Sequence, residues 1–159
     1  MEHTRFHNHP CPTARALDCV GDWWSILILR DAFRGLSRFD EFQKSLGIAP
    51  NILTRRLAHL CERGVLEKRP YQTRPVRHGY HLTGMGSSFF PVLIALASWG
   101  MQHIPPNGPE WRVIDRASGA AVDAIIINAA TGQPLTPDRV AVQFPAEADS
   151  SLCVEEPSP

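Results

Sequence analysis

The chain has 159 residues, 43% hydrophobic and 20% charged, with 16 Lys/Arg balancing 16 Asp/Glu. That length suits one compact core and not comfortably two, and the composition is that of a soluble globular protein. No uninterrupted apolar run reaches about 18 residues and the N-terminus lacks an apolar signal core, so neither a membrane span nor a secretory signal is expected. Cys11, Cys19, Cys61 and Cys153 are scattered, with no Cys-x-x-Cys among them, a pattern that suits a reducing cytoplasm better than a disulfide scaffold.

The zero net charge hides an asymmetry. Residues 1–104 hold 13 Lys/Arg against 8 Asp/Glu, and residues 105–159 hold 3 against 8. Residues 51–78 alone carry 7 basic and 2 acidic side chains, which accounts for the whole positive excess of the first part. A basic stripe on a balanced chain points to an anionic partner, with nucleic acid first, although an Arg-rich solvated surface has the same composition.

In chain order, residues 1–10 read as a disordered, His-rich leader. His3, His7, His9 and Cys11 offer zinc-type ligands. An extended His-x-His-x-Cys alternates sides, however, and no second pair closes a tetrahedron, so no metal site is assigned. Asp22 is expected to cap a helix over "WWSILILRDAF", apolar on most sides and central to the core, which Gly35 ends. Ser37 is the expected N-cap of "SRFDEFQKSL", with Asp40 and Glu41 in its first turn and Phe39, Phe42 and Leu46 on one buried stripe. Gly47 stops that helix. "APNILTRRLAHLCERG" then places Pro50 in a first turn and Gly64 after the last. Leu53, Leu57 and Leu60 face inward, and Asn51, Arg55, Ala58 and Glu62 lie opposite, with Thr54 beside them.

"VLEKRPYQT" and "VRHGYHLT" have strand character and are joined by a short loop with an arginine at its tip, so they read as a basic β-hairpin. Thr83 caps "GMGSSFFPVLIALASWGMQHI", the most apolar helix, where Pro91 predicts a kink or a late start. Its apolar content exceeds what one small core needs, and a partner helix across a dimer interface would use the rest. Within 105–144, "VIDRASGAAVD" and "IINAATGQPLT" resemble each other at a spacing of 13, so a small β appendage of two strand–turn–strand repeats is expected. Residues 145–159 are Pro-, Ser- and acid-rich and read as a disordered tail.

Helix, short helix, tight turn, longer helix and basic hairpin together spell a winged helix-turn-helix over 11–104. The expected fold is mainly α (α+β), with N- and C-terminal dimerisation helices and the β appendage. In such a fold the second helix of the pair enters the major groove, while the first helix and the wing meet the backbone.

The same residues resemble the HxlR-type transcriptional regulators. "CPTARALDCVGDWWSILILRDAFRGLSRFDEFQKSLGIAPNILTRRLAHLCERGVLEKRPY" and "YHLTGMGSSFFPVLIALASWG" carry the likeness, over about residues 10–103. The resemblance implies a homodimeric bacterial DNA-binding regulator, dimerised through helices at about 12–20 and 84–103. It acts on double-stranded operator DNA by default as a repressor, in the cytoplasm at the nucleoid, with no cofactor and no membrane association. It places DNA-facing positions at Ser37, Arg38, Pro50, Asn51, Thr54, Arg55, Arg56, Arg74 and Arg77. Asn suits adenine and Arg guanine in bidentate pairs, while Arg38, Arg74 and Arg77 suit phosphate. Arg56 lies between the inward and outward faces and could instead bridge to an acidic neighbour. Some members respond to electrophiles or oxidants through a cysteine at the position of Cys11. A helix N-terminus there would favour the thiolate, and a small-molecule effector is the other form of response. Cys19 and Cys61 fall among apolar helical positions and read as core thiols. No catalytic triad order, phosphate loop or dinucleotide fingerprint appears, so an enzyme is not expected. The competing class is a winged-helix protein-interaction module without specific DNA binding.

Overall fold

The computed structural model describes residues 6, 8–104, 106–108, 112–122, 124–141 and 143. The expected leader falls largely on residues 1–5 and 7, outside that set, as do the tail at 145–159, Trp111 and Cys153. Of the leader's described residues, Phe6 donates its N–H to Asp18 Oδ1 at 3.1 Å, and His9 Nδ1 accepts from Cys11 N–H at 3.1 Å.

The winged helix-turn-helix is present. Helices α1 (Pro12–Val20), α2 (Trp23–Phe33), α3 (Phe39–Leu46) and α4 (Pro50–Glu62) precede an antiparallel wing, β1 (Leu66–Thr73) and β2 (Val76–Leu82). After the wing come α5 (Gly84–Ser88) and α6 (Phe90–His103). Ile28 and Leu29 of α2, Phe42 of α3, Leu53, Leu57 and Leu60 of α4, and Val65 and Leu66 at the wing's root form one buried cluster. Three leucines at i, i+4, i+7 thus fix which side of α4 faces inward.

Local chemistry explains the boundaries. Asp22 caps α2, its Oδ1 accepting from Trp24 N–H at 2.8 Å and Ser25 N–H at 3.2 Å. Trp23, read as part of an all-round apolar helix, is instead 73% exposed. It is the first helical residue and stands outside the helix pair, edge-on to Trp24. Arg38, not Ser37, occupies the N-cap of α3, in extended backbone. The Glu41 carboxylate satisfies that end by accepting from both Ser37 N–H and Arg38 N–H, each at 2.9 Å, so the cap needs no serine hydroxyl. Those two N–H groups hold the Glu41 carboxyl below its usual range. Gly47 closes α3 at φ 62° and Gly64 follows α4 at φ 72°, both in the left-handed region that glycine adopts without steric penalty.

Pro91 produces the late start: α5 ends at Ser88, Phe89 intervenes, and α6 begins at Phe90 with the proline in its first turn. By length and composition alone Gly84–His103 would pass as a membrane-spanning helix. Its first turn is tied to the wing's root instead. Thr83 Oγ1 donates to Gly64 O at 2.6 Å and accepts from Gly86 N–H at 3.0 Å, and a Cβ at Gly86 would lie 2.2 Å from Val65 O. Phe89, just before α6, and Leu93 within it pack on the core, while Val92, Leu96 and Trp99, at i, i+4 and i+7, stay about half exposed.

Beyond α6 each repeat makes a tight turn closed by a single β-bridge, Ile114 with Ala121 and Ile127 with Pro134, in place of the expected strands. Matching hydrogen bonds run from Asp115 N–H to Ala120 O and from Asn128 N–H to Gln133 O. In each turn the Asp or Asn side chain accepts from a backbone N–H two residues on. Ala124, between the hairpins, donates to Ser98 Oγ of α6 at 3.4 Å.

Candidate nucleic-acid interface

The outer face of α4 begins at its first turn, where Pro50, Asn51, Thr54 and Arg55 are all exposed. Thr54 Oγ1 donates to Pro50 O at 2.8 Å, which leaves the exposed hydroxyl able to accept a further hydrogen bond. Asn51 Oδ1 accepts from Ile52 N–H at 2.9 Å, but that N–H also reaches Ala49 O at 3.0 Å. The Asn51 amide can therefore turn to a base edge without stranding a backbone donor.

Ion pairing sorts the seven basic residues of 51–78. Arg56 Nε lies 2.6 Å from Asp22 Oδ2, Arg63 pairs with Asp18 at 2.5 Å, and Arg69 pairs with Glu67. Lys68 instead lies over the Tyr80 ring at 5.9 Å. Arg55, Arg74 and Arg77 are exposed and have no carboxylate partner among the described residues. Apart from Lys68, whose charge the ring does not cancel, the unneutralised charge of 51–78 lies on the recognition helix and the wing tip, where Thr73 pairs with Val76 and Gln72 with Arg77. The Arg56 contact has the form that its position between two faces allowed: it joins α4 to the capped end of α2.

Ser37 and Arg38 meet the wing directly. Tyr80 N–H of β2 donates to Ser37 O at 2.7 Å, and the Arg38 guanidinium lies 4.5 Å from the Tyr71 ring centroid. A Cβ at Gly79 would meet Ser37 O at 3.5 Å, an ordinary contact, and the movable tip of the His81 ring at 2.9 Å, so the close approach does not depend on glycine there. Sequence reasoning missed Tyr71 and Tyr80. No local signal marks them, because each matters through a contact about 30–40 positions away in the chain.

Cys11 is the N-cap of α1. The Cys11 side chain makes no capping hydrogen bond, but the nearby backbone N–H groups of Ala14 and Thr13 hold its thiol below the ordinary cysteine range, Ala14 having the larger effect. Burial pushes Cys19 and Cys61 the other way. Arg15 donates to His9 O at 2.7 Å and Pro10 O at 2.9 Å, which holds the lead-in to this helix. No group of three or more His, Cys, Asp or Glu side chains converges as a metal site among the described residues.

Comparison with known proteins agrees with this arrangement. The HxlR-like helix-turn-helix family matches residues 19–108. The uncharacterized HTH-type transcriptional regulator MT3179 of Mycobacterium tuberculosis is 37% identical over 123 residues, 77% of this chain and 78% of that protein. Among solved structures, PA1607, provisionally a transcription factor, is 41% identical, with a TM-score of 0.79 over 87% of this chain and 97% of that one. The reduced form of the redox regulator HypR is 26% identical, with a TM-score of 0.56 over 60% of this chain and 95% of that one. With a recognition helix, a basic wing and a family match over most of the folded chain, this protein belongs to the HxlR-like helix-turn-helix family and is a DNA-binding transcriptional regulator.

Proposed function

We propose that the chain acts as a homodimer that represses transcription by occupying an operator, in the cytoplasm at the nucleoid. In this reading residues 11–104 form the DNA-binding and dimerisation unit and 105–144 an appendage to it. Helix α4 enters the major groove with Pro50, Asn51, Thr54 and Arg55 at base edges, while Ser37, Arg38, Arg74 and Arg77 bind phosphate. The observation that carries the reading is the exposed, unneutralised face shared by α4 and the wing tip. Arg56 is engaged by Asp22 and orients α4 rather than binding DNA. The half-exposed stripe Val92, Leu96 and Trp99 supports a second copy of the chain as the partner of α6, because a solvated helix does not need apolar residues at that spacing. A gel shift with the protein's own upstream intergenic DNA, run across a salt series, tests this function. Binding that weakens as salt rises is expected, and no salt-dependent binding to any genomic fragment would sink the proposal.

Thiol control is a second reading, favoured by the position of Cys11 at a helix N-terminus and by the likeness to HypR, a redox regulator solved in reduced and oxidized forms. Diamide or a quinone should abolish DNA binding by the wild type and spare Cys11→Ser. Equal responses in the two proteins would rule Cys11 out as the sensor.

A further inference from the structure

The register of the wing breaks at one residue. Pro70 pairs with His78 and Gln72 with Arg77, so Tyr71 is the extra residue of a β-bulge. A bulge leaves its residue out of the ladder and re-aims its side chain. Here the ring lies against Arg38, with the guanidinium carbon 4.5 Å from the ring centroid. The backbone on the other side of this contact is fixed: Arg38 N–H donates to Glu41, and Ser37 O accepts from Tyr80 N–H.

We propose that Tyr71 is a positioning residue for DNA binding, its bulged ring holding the Arg38 guanidinium at the seam between α3 and the wing, ready for a phosphate. The proposal rests on the reading that Arg38 contacts DNA. Its physical basis is the difference between two ways of holding an arginine. A carboxylate, as at Arg56, occupies N–H donors and cancels charge. A ring face attracts the cation through its quadrupole and leaves the in-plane N–H donors and the full charge available. A free arginine loses rotamer freedom when it docks, and a stacked one has lost part of it already.

The test is fluorescence anisotropy with a labelled mixed-sequence duplex of about 40 base pairs, long enough for several helical turns, across a potassium chloride series. Tyr71→Phe should bind like wild type. Tyr71→Ala should weaken binding about two- to fivefold per protomer, the equivalent of the roughly 0.5–1 kcal/mol of a cation over an exposed ring. Arg38→Ala should weaken binding and lower the log K versus log salt slope by about 0.9 per lost contact. The double variant should bind no more weakly than Arg38→Ala alone. Thermal melts check folding, and if Tyr71→Ala melts early, Tyr71→Leu fills the volume without a π face and should show the same loss.

Three results overturn the proposal while leaving the contact of Arg38 with DNA intact. These are a Tyr71→Ala and Tyr71→Leu affinity equal to wild type, a Tyr71 effect that persists in the Arg38→Ala background, and a Tyr71→Phe loss equal to that of Tyr71→Ala. The last would make the hydroxyl the contact. Salt-dependent binding by wild type that Arg38→Ala leaves unchanged overturns both Arg38 and Tyr71 but not operator binding. No salt-dependent binding at all overturns the DNA reading with them.

Discussion

Arg56→Ala tests the proposal that this arginine, unlike Arg55 on the same helix, is structural rather than DNA-binding. Its Nε lies 2.6 Å from Asp22 Oδ2, with the two side chains 38% and 25% exposed. Exposed ion pairs contribute about 0.2–1 kcal/mol, and partial burial favours the upper end. Asp22 Oδ2 is buried and makes no hydrogen bond even beside Arg56, so removing the guanidinium takes away the charge set against it. Leaving a buried charged oxygen without its partner costs about 1–3 kcal/mol, less where water can enter beside it. The expected loss is therefore about 1–2 kcal/mol, or roughly 2–8 °C in Tm for a chain of this size. Asp22→Ala should lose as much or more, because Oδ1 also caps α2 and such a cap contributes about 1 kcal/mol. The two substitutions should be less than additive, because they remove one shared contact. Urea unfolding followed by far-UV circular dichroism measures all three variants. The salt dependence of DNA binding should keep its wild-type slope in Arg56→Ala. An unfolding curve that coincides with wild type, together with a slope reduced by about 0.9 per protomer, would refute the assignment.

Arg55→Ala should relax sequence preference, narrowing the gap between operator and unrelated DNA by about 1–3 kcal/mol. Arg74→Ala should weaken binding to both alike, and equal losses on both DNAs from both variants would contradict the division of labour. Leu57 is fully buried on the inward face of the recognition helix, so Leu57→Ala should cost about 2–5 kcal/mol in urea unfolding, and a loss under 1 kcal/mol would show a looser core. Glu41 titrates below its ordinary 4.5 in the folded chain, so its stabilisation is present above that pH and is lost as pH falls through the folded value. Melting temperatures from neutral pH downward should therefore fall more steeply below about pH 4.5 for wild type than for Glu41→Gln. Parallel curves would place the acid sensitivity elsewhere.

Much of the fold is written in local pattern. The spacing of Leu53, Leu57 and Leu60 shows which face of α4 turns inward, and therefore that Asn51, Thr54 and Arg55 turn out. Pro91 shows where the last long helix begins, and the 13-residue repeat shows two matching turns at Asp115 and Asn128. The N-cap of α3 was harder to place, because Ser37 and Arg38 precede the helix together and both send their N–H groups to Glu41. A serine hydroxyl was the local candidate, and the carboxylate four residues later does the work.

The sequence by itself determined the order of the main elements, the inward faces of α3 and α4 and the basic character of residues 51–78, because these depend on spacing and composition within a few turns of chain. Only the tertiary structure decided which of those charges remain available. Arg56, Arg63 and Arg69 look like Arg55 in a list of residues, yet Asp22 and Asp18 reach the first two from distant positions, and Glu67 reaches the third along its own strand. Tyr71 became part of the candidate interface only because a bulge in one strand brings its ring to an arginine 33 positions earlier in the chain. Charge and aromaticity are properties of residues, but whether a cation is cancelled, stacked or left free depends on which neighbour the fold places within about 3–5 Å of it.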